Sequence, residues 1–83
     1  GRQMTAYRVE TKLSPEQVME KATAYFGPAG LGLETRQENP CCLYFEGGGG
    51  HVSVSASAGE KTTVDLETRE WDYHVKKFMG QVG

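Results

Sequence analysis

Charge of one sign, long apolar runs and cysteine are all scarce in this sequence. Nine Lys and Arg stand against eleven Asp and Glu, for a formal net charge of −2, and the cations are scattered along the chain. A nucleic-acid binder needs a clustered basic surface to displace counterions from phosphates, so no nucleic-acid partner is expected. No apolar run approaches membrane-spanning length, and no stretch has the charged, apolar and small-residue succession of a signal peptide. No membrane partner is expected either. Cysteine is limited to Cys41 and Cys42. A bond between neighbours closes a strained ring and staples no loop. The expectation is therefore a reduced, cytoplasmic protein. Gly1 reads as a residue left by processing rather than a native one.

What is present is an ordinary globular composition, 37% hydrophobic and 24% charged over 83 residues. That argues against disorder. At this length a single domain over residues 1–83 is expected, and it would bury only about 60–65% of its unfolded surface. The first helix is the plainest element. In "LSPEQVMEKATAYFGP", Ser14 suits the N-cap, Pro15 the first helical position, and Gln17 completes a capping box. Leu13 and Val18 are placed for a hydrophobic staple. Val18, Met19, Ala22, Tyr25 and Phe26 recur on one helical face. Gly27 would supply a left-handed C-terminal cap and Pro28 a stop.

Before this helix, Thr5, Tyr7, Val9 and Thr11 alternate with Ala6, Arg8 and Glu10, the pattern of a half-buried strand. After it, Leu31 and Leu33 alternate with Gly32 and Glu34, which predicts a second strand, and "RQENP" predicts a turn. Three further period-two segments follow. Their apolar sets are Cys41, Leu43 and Phe45, then Val52, Val54 and Ala56, then Val64 and Leu66. The last segment changes period. Trp71, Val75, Phe78 and Val82 share a helical stripe, with Glu70 and Asp72 early and Lys76 and Lys77 toward the end, as a helix dipole favours.

The order is β-α-β-β-β-β-α: an α+β domain with a five-stranded antiparallel sheet and two helices packed on one face. Matching apolar faces sets Phe45 opposite Val52, Leu43 opposite Val54, Val54 opposite Leu66 and Ala56 opposite Val64. A slip of one residue would turn one strand's apolar set into water.

This order resembles one half of the TATA-binding-protein fold, and is similar to a pared-down helix-grip domain of the Bet v1 or START-like kind. The resemblance is topological and spans the whole chain. Neither family's signature motif is present, so no functional residue carries over. It implies a curved sheet wrapping the C-terminal helix, with the first strand paired to the fifth. The chain lacks the extra elements that widen a helix-grip ligand space, and its outer sheet face is mixed and partly acidic, unlike a DNA-binding saddle.

Candidate chemistry is sparse. The run Gly47–Gly50 is followed by His51 and Val52 in a strand, without the Lys and Ser or Thr of a phosphate loop. It reads as a hairpin connection with a mobile tip. Alternation points Cys41 to the core and Cys42 outward, beside Glu34, which spoils a shared metal site. A thiol or metal site using Cys42 or His51 is the third alternative for function.

The outward set holds more promise. His51 is expected beside Glu46 and Arg69. Ser53, Ser55 and Ser57 make a strip of short side chains. Tyr44, Glu46, Asp65, Glu67 and Arg69 flank that strip, forming a shallow groove for a partner chain or a second copy. Serine, histidine and aspartate share this face, but an open sheet has neither an oxyanion hole nor a nucleophile elbow, so no catalytic residue is expected. Tyr73 is expected to be exposed, and Tyr7, Tyr25, Phe26, Phe45, Trp71 and Phe78 to be core. An alternative ligand cleft between the last helix and the sheet would be lined by Leu33, Phe45, Trp71, Val75 and Phe78. The sequence thus points to a small non-enzymatic interaction module, binding itself as a homodimer or another protein, without cofactor or metal. The alternative is a binder of a small apolar ligand in that cleft.

Overall fold

A computed structural model describes residues 4–39 and 41–83, with only the backbone of residues 38 and 39. Gly1, and Pro40 of the expected turn, lie outside these residues. The elements are β1 (Thr5–Thr11), α1 (Pro15–Phe26), β2 (Glu34–Asn39), β3 (Cys42–Gly47), β4 (Gly50–Ser57), β5 (Thr62–Arg69) and α2 (Asp72–Val82). The five strands form one antiparallel sheet in the order β1-β5-β4-β3-β2. This is the α+β architecture that the periodicity predicts.

Helix α1 starts as its sequence requires. The Gln17 backbone N–H donates to Ser14 Oγ at 3.2 Å, and the Ser14 N–H donates to Gln17 Oε1 at 2.9 Å. The box is reciprocal, so two otherwise orphaned donors are satisfied. Its end differs from expectation. Gly27 is extended (φ −73, ψ −170) rather than left-handed. A Cβ there would lie 2.5 Å from the Thr23 carbonyl oxygen, so close approach is what demands glycine. Helix α2 begins at Trp71 with no side-chain cap, directly after Glu70, a non-glycine residue at φ 80. Its lysines sit mid-helix rather than in the last turn. Lys76 lies 5.9 Å from the Tyr7 ring centroid and Lys77 5.3 Å from that of Tyr73.

The second strand is displaced from its expected place. Residues 31–33 form a turn and its exit, and the supposed turn residues from Arg36 to Asn39 are strand. Gly32 at φ 85 explains the first half: a positive φ interrupts a strand, and the alternation of Leu31 and Leu33 reports burial without pairing. The polar run 34–39 is strand because β2 is an edge, paired only to β3. Edge strands tolerate charge on both faces.

The inner face packs under both helices. Leu43, Phe45, Val52, Val54, Ala56, Val64 and Leu66 meet Val18, Ala22 and Phe26 of α1 and Val75, Phe78 and Val82 of α2. Every predicted pairing between β3, β4 and β5 is present, including Phe45 with Val52 and Val54 with Leu66. Among the described residues, no helix is long and apolar enough to cross a membrane.

Candidate functional site

The tetraglycine is tightly built rather than loose. Gly47 and Gly50 pair with each other as strand residues. Gly48 and Gly49 alone form the turn, at φ 59 and 80. Two successive positive φ values are what a two-residue hairpin turn of the favoured twist needs. The remaining glycines answer to neighbours. A Cβ on Gly48 would come 2.8 Å from the Trp71 ring, and one on Gly50 would come 2.0 Å from the Arg69 carbonyl oxygen. The Trp71 indole N–H donates to the Gly47 carbonyl at 3.0 Å. The run is thus a seat for Trp71 at the start of α2. One such position can be seen in a turn signature. Gly48 depends on a tryptophan about twenty residues away in sequence, and Gly50 on the backbone of Arg69 on the neighbouring strand.

The proposed ligand cleft is filled. Phe45, Val75 and Phe78 are fully buried and Leu33 is nearly so. The Phe26 ring occupies the space between them, with centroids 5.4 Å from Phe45 and 5.3 Å from Phe78. Trp71 is half-buried and turned toward the hairpin. The sequence reading counted Phe26 as core but left it out of this cleft, because only the packing angle of α1 brings it there. Tyr73 is 66% exposed, as expected.

The cysteines depart furthest from expectation. Cys41 and Cys42 are bonded to each other, and neither is a free thiol. Cys41 is exposed rather than core, and Cys42 is half-buried. Asn39, not Glu34, is opposite Cys42 on β2, because that strand lies further along the chain than predicted; Glu34 faces Glu46. Among the described residues no group of three or more His, Cys, Asp or Glu side chains stands close enough to hold a metal.

The outer face assembles as the pattern requires. His51 pairs with Glu46 on β3 and Arg69 on β5. Although it points to the open side, it is 8% exposed, because the Tyr44 ring stacks on it with centroids 5.5 Å apart and planes 14° apart. Arg36 lies over the other part of this stack, 4.7 Å from the Tyr44 centroid. Arg36, which the alternation could not assign while "RQENP" read as a turn, is the outer-face residue missed in the sequence.

The pairings define rows across the sheet. One row runs Arg36, Tyr44, Ser53, Glu67, Ala6 from edge to edge. The next runs Cys42, Ser55, Asp65, Arg8. Ser57 follows beyond it, opposite Thr63. Arg8 Nε donates to Asp65 Oδ1 at 2.7 Å, and this pairing raises the guanidinium pKa above its ordinary value. Asp65 thus serves Arg8, and its partner Ser55 is four positions along β4 from His51, about 13 Å along the strand. The three letters of a hydrolase share a face without forming a relay.

Large side chains at one end of the first row and small ones beyond leave a groove of about 350 Å³, with Ser53 and Ser55 on its floor and Tyr44 and Glu67 at its sides. On the opposite face, the Tyr7 hydroxyl donates to Asp72 Oδ2 at 2.7 Å, which raises the phenol pKa above its ordinary value, with burial adding in the same direction. Tyr25 and His74 share a hydrogen bond of 3.1 Å beside it. These contacts tie α2 to β1 and to α1. Of the four residues, only Tyr7 also borders the groove.

Compared with protein families, with curated proteins and with solved structures, the chain finds no match.

Proposed function

We propose that the chain is a small, non-enzymatic interaction module that pairs with a second copy of itself through the open sheet face. The observation that carries this reading is the asymmetric row Arg36–Tyr44–Ser53–Glu67–Ala6. It is bulky and cationic at the β2 end, and small beside an acid at the β1 end. A two-fold axis along the central strand β4 would lay β3 of one copy over β5 of the other, and β2 over β1. Arg36 of the second copy would then stand above Ala6, next to Glu67, and its Tyr44 would stand above Glu67 at the side of the groove. Isologous contacts need such self-complementarity.

Size decides how tight the pair is. At about 4.8 Å between strands and 3.3 Å per residue, the face covers about 550 Å² per copy. Two copies bury about 1,100 Å² in total, just above the roughly 1,000 Å² of a specific interface. The reading therefore predicts a weak, concentration-dependent dimer. Sedimentation equilibrium across a hundredfold concentration range tests it. Arg36→Glu should reduce association at least tenfold, and Arg36→Glu with Glu67→Arg should restore it, since both signs are then exchanged. A monomer at every concentration would overturn self-pairing. Association that ignores Arg36 would place the contact elsewhere, and binding to a different protein through the same row would change the occupant.

A further inference from the structure

The bonded cysteine pair has no structural task that its place in the fold can explain. Native cross-links stabilise mainly by limiting the unfolded chain, and the effect grows with the loop they close. Cys41 and Cys42 are separated by one position, so their bond closes no loop. Nor does it fasten one element to another. The backbone around it is already held, because the Ala56 N–H donates to the Cys41 carbonyl at 3.1 Å and Cys42 pairs with Ser55. Both of those contacts are made by main-chain atoms, and opening the sulfur bridge leaves them intact. The bond is also reachable: Cys41 is exposed, and Cys42 lies at the end of the open-face groove.

From these observations we infer that Cys41 and Cys42 form a two-electron thiol–disulfide exchange site whose partner is a dithiol. A thiolate of the dithiol attacks the sulfur of Cys41, the more exposed residue of the pair. The Cys41–Cys42 bond breaks, and its electron pair leaves on the Cys42 sulfur, which takes a proton. The second thiolate of the dithiol then attacks its own sulfur in the mixed disulfide. It closes the dithiol to a cyclic disulfide and releases Cys41, which is protonated in turn. Two electrons and two protons pass to the chain, and the same steps in reverse return them. Exchange of this kind depends on access and on thiolate at the attacking sulfur. In a reducing compartment the pair stands as a dithiol, and in an oxidising one as the disulfide. The site does not rest on the pairing of copies, since the attacked sulfur lies outside the groove.

The test uses the full chain purified without reductant. Intact mass should show two fewer hydrogens than the dithiol form and no alkylation by iodoacetamide. Dithiothreitol should then add 2 Da and admit two alkylations, with the far-ultraviolet circular dichroism unchanged and the melting temperature shifted by less than about 2 °C, as expected for a change of a few tenths of a kcal/mol. Phenylarsine oxide, which bridges adjacent thiols, should bind one equivalent to the reduced chain and none to the oxidised chain. Cys42→Ser should abolish that binding while leaving the fold unchanged. Two alkylations without reductant that persist after treatment with oxidised dithiothreitol would overturn the proposal. So would reduction that unfolds the domain, which would make the bond a structural one.

Discussion

Along β4, Val52, Val54 and Ala56 alternate with His51, Ser53, Ser55 and Ser57, and the two sets meet different surroundings. The first set is closed over by two helices. It packs in one cluster with Phe26, Phe45 and Phe78, and all three of its members are buried. The second set meets only cross-strand neighbours. Its one buried member, His51, is covered by Tyr44 from the same sheet rather than by another layer. A strand of a single sheet can thus be half core and half surface, and the same alternation that builds the core lays out the rows of the surface. Small side chains on the outer rows are unnecessary for the fold. That difference is why the outer face, and not the helix–sheet interface, is the place to look for a partner.

The comparison breaks most severely at Phe26. Phe26→Ala removes the ring that fills the space between Phe45 and Phe78, and large-to-small core changes of this kind destabilise by about 3–5 kcal/mol. In a domain this small that loss approaches the whole stability, so Phe26→Leu, with a smaller expected loss, keeps the measurement within range of urea unfolding. The hairpin tip gives a graded series. Gly50→Ala drives a Cβ into the Arg69 backbone and should be the worst, at about 2 kcal/mol or more, as forced overpacking costs. Gly48→Ala combines a positive φ with the Trp71 ring. Gly49→Ala meets nothing within 4 Å, so its loss should be limited to the backbone term of about 1 kcal/mol. Equal losses at Gly48 and Gly49 would show that the tip is not seated on Trp71.

On the outer face the effects should be smaller. Tyr44→Ala should change stability by about 1 kcal/mol or less, the range of an exposed cation–π contact and a cross-strand pair, while weakening association much more. The smallest effect is a dependence on pH. The folded-state pKa of Tyr7 is raised by its hydrogen bond to Asp72. Its contribution to stability is fully present below the unfolded tyrosine pKa of about 10 and is lost as pH rises through the higher folded value. Urea midpoints should therefore fall between pH 9 and 11 in the parent, and fall less in Tyr7→Phe.

Much of this could be read from the sequence where two periodic patterns constrain each other. The registers of β3, β4 and β5 followed because both faces of each strand carry distinct residue types, and α1 followed from its capping box. The location of β2 did not, because Leu31 and Leu33 are buried without being paired, and a polar edge strand looks like a turn. That error also hid Arg36 and misplaced the neighbour of Cys42. The role of Gly48 depends on Trp71 and that of Gly50 on the Arg69 backbone, contacts no local pattern carries. The bond between Cys41 and Cys42 was read against a rule about stability, and a cross-link that closes no loop is outside that rule's reach.

The central claim is that the outer rows, and not the helix side, form the contact between copies. Amide chemical shifts followed over a hundredfold dilution test it most directly. The account predicts concentration-dependent shifts concentrated at Arg36, Tyr44, Ser53, Ser55 and Glu67, vanishing in Arg36→Glu. Shifts centred on α2, or none at any concentration, would contradict it.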